Sequence, residues 1–89
     1  MSEQQETLLE FPCRFPIKVM GRSGDAFEFE VVQIMRRHIP NLSEGAISRR
    51  DSKQNNYAAL TIIIEAQSRA QLDAIYQDLT ASDHVLMAL

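Results

Sequence analysis

Tyr57-Ala58-Ala59-Leu60-Thr61-Ile62-Ile63-Ile64-Glu65-Ala66 is the stretch that decides the fold. Its centre is a run of β-branched residues, the side chains that fit a pleated surface best. Alternation sets Ala58, Leu60, Ile62 and Ile64 on one face and Tyr57, Ala59, Thr61, Ile63 and Glu65 on the other. A strand so apolar on both faces belongs in the middle of a sheet.

Upstream, Asp51-Ser52-Lys53-Gln54-Asn55-Asn56 is dense in turn formers, and the short polar segment from Ala46 to about Arg50 has only Ile47 to bury. These features predict a hairpin whose first strand lies at a sheet edge. Downstream, Ser68-Arg69-Ala70-Gln71 matches the capping box, in which the serine oxygen and the glutamine amide satisfy each other's free backbone N–H groups. Leu72, Ile75, Tyr76 and Leu79 continue at helical spacing, so a helix is predicted over Arg69–Ala81, and Val85–Leu89 then reads as a final strand.

The other end of the chain repeats this grammar. From Cys13 to Met20, apolar Cys13, Phe15, Ile17 and Val19 alternate with Arg14, Pro16, Lys18 and Met20, as in a strand with one buried face. Pro16 has no N–H to donate, which requires a position where none is needed. Gly21-Arg22-Ser23-Gly24-Asp25 breaks the alternation, and Phe27, Val31, Ile34, Met35 and His38 then mark one face of a helix over Asp25–His38. Ser23 or Asp25 is placed to cap its start, Arg36, Arg37 and His38 suit the negative end of its dipole, and Pro40 follows its end.

The order is βαββαβ, an α+β chain. Right-handed crossovers put both helices on one side of a four-stranded antiparallel sheet in order 4-1-3-2. The opposite face is left open, and alternation assigns it Lys18, Met20, Thr61, Ile63, Leu86 and Ala88. Part of this face is too apolar to be indifferent to water. Homodimerisation is its expected use, with Lys18, Thr61, Ile63 and Leu86 as interface residues.

Composition narrows the function. A chain of 89 residues with 45% hydrophobic and 24% charged residues has the balance of one globular domain. The domain is expected to span residues 11–89, preceded by a flexible arm over 1–10. No apolar run approaches a membrane span and the start lacks the pattern of a secretory signal, so a cytoplasmic location is expected. Cys13 is the only cysteine, which excludes an internal disulfide and a thiolate metal site. A net charge of −3 argues against a dedicated nucleic-acid binder.

Chemistry-bearing constellations are few. The Gly21, Arg22, Ser23, Gly24 segment leads into a helix N-terminus, where free N–H groups and the dipole favour an anion, and it is the candidate ligand site. Two glycines also suit a plain tight turn. Acylphosphatase shares the topology and uses a glycine-rich phosphate loop after its first strand. Here Phe27 is followed by Glu28 where that enzyme needs an arginine, and the loop lacks its glycine spacing. RNA-binding sheets of the same order stack bases on aromatics at the centres of strands one and three, positions without aromatics here. His38 and His84 lie far from any metal-ligand partner in sequence, and no catalytic triad can be composed. Asp73, Asp78, Glu28 and Glu30 read as solvated helix faces. No catalytic residue, metal or cofactor is expected.

Leu9-Glu10-Phe11-Pro12 leading to Phe15, Lys18-Val19-Met20-Gly21, Arg37-His38 with Pro40, Ser52-Lys53 with Asn56-Tyr57, and the closing Asp83, Val85, Met87 and Leu89 together resemble the YbeD-like family of small bacterial proteins of unknown function. The region from Asn41 to Arg50 departs from it, being longer and more basic. The resemblance implies a ferredoxin-like fold similar to the ACT regulatory domain, which binds amino acids near the loop here formed by Gly21 to Asp25. It also implies a regulatory partner, since family members tend to be encoded beside lipoate-attachment enzymes. The sequence thus reads as a non-catalytic regulatory or binding module for a protein partner or a small metabolite. The alternatives are a structural homodimer formed through the open face and, behind it, an acylphosphatase-like enzyme.

Overall fold

The computed structural model describes residues 9–89 except 53 and 55; the arm expected over 1–10 therefore lies, up to residue 8, outside the described residues. The elements follow in the order β1 (Cys13–Arg22), α1 (Asp25–His38), a single 3₁₀ turn (Glu44–Ala46), β2 (Ile47–Asp51), β3 (Tyr57–Ala66), α2 (Arg69–Ala81) and β4 (Val85–Ala88). The strands form one antiparallel sheet in spatial order β2-β3-β1-β4. This is the two-layer ferredoxin-like arrangement that the pattern predicts, with β3 and β1 central.

The core lies between sheet and helices. Leu60 and Ile62 of β3, Ile17 and Val19 of β1, Val31 and Met35 of α1, and Ile75 and Leu79 of α2 are all fully buried. Burying one such aliphatic side chain contributes about 1.5–3 kcal/mol, and these face one another across the layers. Among the described residues no polar or charged side chain is buried, so the core carries no desolvation penalty of that kind.

Pro16 sits where its missing N–H costs nothing. Lys18 exchanges both backbone hydrogen bonds with Leu89, at 2.9 and 2.7 Å. Two residues earlier, the Pro16 nitrogen points to the same edge, one step beyond that pair.

Local details depart from the sequence expectations at three points. β1 runs two residues further than expected, to Arg22, so Gly21 and Arg22 belong to the sheet. Helix α1 has no side-chain cap: Gly24 holds the N-cap position with φ 141°, and neither Ser23 nor Asp25 serves. At α2 the expected box is half formed. Ser68 Oγ accepts from Gln71 N at 3.1 Å, but Gln71 Oε1 reaches past Ser68 to the N–H of Gln67, at 2.8 Å.

Candidate functional site

The open face of the sheet is built from regular rows. Register pairs Met87 with Met20, Met20 with Ala59, and Ala59 with Arg50, so one row crosses all four strands. The next row runs from Leu89 through Lys18 and Thr61 to Ser48. On the other side Arg22 faces Tyr57. Adjacent strands stand about 4.8 Å apart, so these side chains form one continuous surface.

A bulge concentrates its apolar content. Met20 pairs with Met87 but Gly21 pairs with Val85, which leaves Leu86 as the extra residue. A bulged residue breaks the strict in-and-out alternation, and Leu86 and Met87 both turn outward while Val85 and Ala88 pack on the core. This corrects the assignment of Ala88 to the open face: Met87 takes that place. Period-two counting could not see the shift, because nothing in Val85–Leu89 marks a bulge.

Met20, Tyr57, Leu86 and Met87 with Ala59 and Arg50 line a groove of about 430 Å³. A second groove of about 470 Å³ adjoins it along Lys18, Thr61, Ser48 and Leu89. Of the six large hydrophobic side chains exposed among the described residues, only Phe29 lies elsewhere, on α1. Of the sequence-predicted interface residues, Lys18, Thr61 and Leu86 border these grooves. Ile63, half-buried, is opposite Pro16 further along β3.

The charged residues divide between the two sides of the sheet. Arg49 points to the helix side, donating to Glu28 Oε1 at 2.7 Å and Asp51 Oδ1 at 3.0 Å; Glu28 first and then Asp51 raise its pKa above the ordinary arginine value. His38 Nε2 lies 2.6 Å from Asp78 Oδ2, and Ser82 Oγ donates to Glu30 Oε2 at 3.1 Å, so the contacts join α1 to α2 and to the residue that caps its C-terminus. Glu28, Glu30 and Asp78, read from sequence as solvated, are thus fastenings between elements. On the open face, by contrast, Lys18, Arg22 and Arg50 make no ion pair among the described residues.

The predicted ligand segment is divided by the structure. Gly21 is buried in β1, where a Cβ would lie against the Phe27 ring and 2.5 Å from the His84 carbonyl. It allows close packing. Arg22 ends the strand, and the Ser23 N–H donates to the Asn56 carbonyl at 3.1 Å, tying the β2–β3 hairpin to the start of α1. Ser52 Oγ accepts from the N–H groups of Asn56 and Tyr57, which steadies the same hairpin. A small pocket of about 160 Å³ remains beside Arg22, Ser23 and Gly24, with Asp83 and His84 on its wall. Among the described residues no group of three or more His, Cys, Asp or Glu could hold a metal ion. No helix among them is long and apolar enough to cross a membrane.

Residues 6–89 match the family described as protein of unknown function (DUF493). The chain belongs to that family. It is 43% identical to a UPF0250 protein of Chromobacterium violaceum over the full length of both chains. It is 44% identical to the UPF0250 protein RSc0326 of Ralstonia nicotianae, over 96% of this chain and 88% of that one. The family assignment drawn from the Phe-Pro, Lys-Val-Met-Gly and Asn-Tyr segments is therefore borne out. The solution structure of protein HP0495 from H. pylori superposes with a TM-score of 0.71 at 14% identity, covering 91% of this chain and 85% of that one. At that identity the likeness is one of fold.

Proposed function

We propose that this protein is a non-catalytic binding module whose working surface is the open face of the sheet, where it receives a protein partner. One observation carries the reading: Met20, Tyr57, Leu86, Met87 and Leu89 are exposed together on a single face. Contiguous apolar surface rimmed by polar groups marks interaction sites, and methionines adapt their shape to a partner at small cost. The helix side, in contrast, exposes one large hydrophobic among the described residues, Phe29, and its polar contacts join its own elements.

A regulatory metabolite site of the ACT type, at Gly21, Arg22, Ser23 and Gly24, has weaker support. Ser23 already spends its N–H on Asn56, and Asp83 beside the pocket opposes an anion. An acylphosphatase-like activity has less still, since Glu28 stands on α1 beside Arg49. It places a carboxylate where a phosphate would need a cation.

The experiment is affinity capture from bacterial lysate with the wild-type chain and with Met87→Lys, the fold of each checked by circular dichroism. A stoichiometric protein held by the wild type and lost from the variant is expected. Equal capture by both, or retention only of a small molecule lost on Arg22→Ala and kept by Met87→Lys, would overturn the reading.

A further inference from the structure

We infer that the segment received by the open face is an acidic amphipathic one, with apolar residues in the Met20–Leu86–Met87 groove and carboxylates against Arg22, Lys18 and Arg50. The inference rests on the binding-module reading and adds the chemistry of the partner. Its basis is the distribution of charge. The chain has twelve acidic and nine basic residues, yet by register and alternation the described strand residues of the open face include Arg14, Lys18, Arg22 and Arg50 against Glu65 alone. Glu65 is itself opposite Arg14, at the far end of the β1–β3 ladder. Lys18, Arg22 and Arg50, in no ion pair among the described residues, therefore stand around the apolar groove. Asp51, which also borders it, is engaged by Arg49, and Asp83 lies near Arg22 alone.

Their placement is specific. Arg22 and Lys18 stand two residues to either side of Met20 on β1, and Arg50 closes the Met87–Met20–Ala59 row on β2. Successive side chains on one face of a strand are about 6.8 Å apart, so each cation is within reach of an occupant of the groove. Attraction of this kind selects the sign of the partner and speeds its arrival. A second copy of the chain fits less well, because a two-fold contact through this face would bring the same cations together. Nucleic acid also fits less well. Most of the groove is lined by thioether and aliphatic groups, and Tyr57, at one end of β3, is its only aromatic among the described residues, whereas single strands are gripped by aromatic stacking.

The methionines supply the readout. Met20 and Met87 are exposed on the face and Met35 is wholly buried on the helix side, so methyl NMR of methionine-labelled full-length protein has two reporters and an internal control besides the signal of Met1. The probes are a synthetic amphipathic peptide of about 16 residues with a leucine face flanked by glutamates, its glutamine counterpart, and a single-stranded oligouridylate. The glutamate peptide is expected to shift the Met20 and Met87 methyls, leave Met35 in place, and bind about tenfold more tightly than the glutamine peptide at low salt, the gap narrowing as salt rises. Arg50→Glu should remove most of that gap with the Met35 signal unchanged. Equal binding of both peptides at Met20 and Met87 would overturn the acidic preference and leave the docking surface standing. Silence of both methyls with every peptide, together with undiminished lysate capture by Met87→Lys, would overturn both. Stronger shifts with the oligouridylate would assign the face to nucleic acid, and shifts on simple dilution would assign it to a second copy; either result rejects the inference.

Discussion

The ring of Phe27 lies directly against Gly21, and the two residues lock the start of α1 onto the end of β1. A methyl group at Gly21 would meet the buried ring on one side and the His84 carbonyl on the other, 2.5 Å away. The ring could shift only into a filled core, and the carbonyl is backbone. Gly21→Ala should therefore destabilise the fold by about 1–3 kcal/mol, the usual cost of overpacking. Urea unfolding measures it, and a variant as stable as wild type would show that this junction is looser than described.

Gly24 makes a contrasting prediction. A Cβ there would meet nothing within 4 Å, but φ is +141°, a conformation that side chains other than glycine rarely adopt. Gly24→Ala should cost roughly 1–3 kcal/mol through backbone strain alone. Because no neighbour is displaced, Gly24→Gln, unbranched at Cβ, should be destabilised comparably, and a steep dependence on side-chain length would count against backbone strain as the cause.

His38 and Asp78, joined at 2.6 Å, are the contact by which the last residue of α1 holds α2. His38 is mostly buried and Asp78 about half exposed, so solvent weakens the pair without removing it. Asp78→Ala should lower stability by about 0.5–1.5 kcal/mol. In a double-mutant cycle with His38→Ala the two losses should fall short of additivity, since each removes the same contact. Strict additivity would mean that the contact contributes nothing.

The elements were legible in the sequence because their signals are local. Thr61-Ile62-Ile63-Ile64 marks the central strand, the capping serine marks α2, and the spacing from Phe27 to Met35 marks α1. What escaped the sequence depends on contacts between distant segments. Glu28 meets Arg49, Asp78 meets His38 and Asn56 meets Ser23 across separations that no periodicity encodes. The bulge at Leu86 likewise arises from pairing with β1. Without it Met87 could not be assigned to the open face, and the extent of the apolar groove stayed hidden. The cations around the groove were visible singly, but only the register shows that Lys18, Arg22 and Arg50 share a face while Arg49 does not.

Ser68 is the point at which α2 is anchored. Its Oγ accepts from the Gln71 N–H, one of the donors that the first turn of a helix leaves without a partner. Ser68→Ala should cost about 1 kcal/mol and Ser68→Asp much less, since aspartate caps equally well. Gln71→Ala, which frees the Gln67 N–H at an exposed site, should have the smaller effect of the two alanine changes. Thermal unfolding of the three variants decides the order, and a Gln71 effect larger than that of Ser68 would reverse the assignment.

The alkaline limit of stability should involve Tyr76. Burial raises the pKa of its phenol above the ordinary value of 10.0, because packing against the core disfavours the phenolate. In the unfolded chain that restraint is gone, so the unfolded state loses its proton first as pH rises. The stabilisation is accordingly complete below about pH 10, the unfolded value, and is lost as pH climbs toward the folded one. Tyr76→Phe removes the ionising group while keeping the ring. Its unfolding midpoint should therefore fall less steeply than that of wild type above about pH 10 and run parallel to it below. Parallel curves throughout the alkaline range would mean that the Tyr76 hydroxyl is as well hydrated in the fold as outside it.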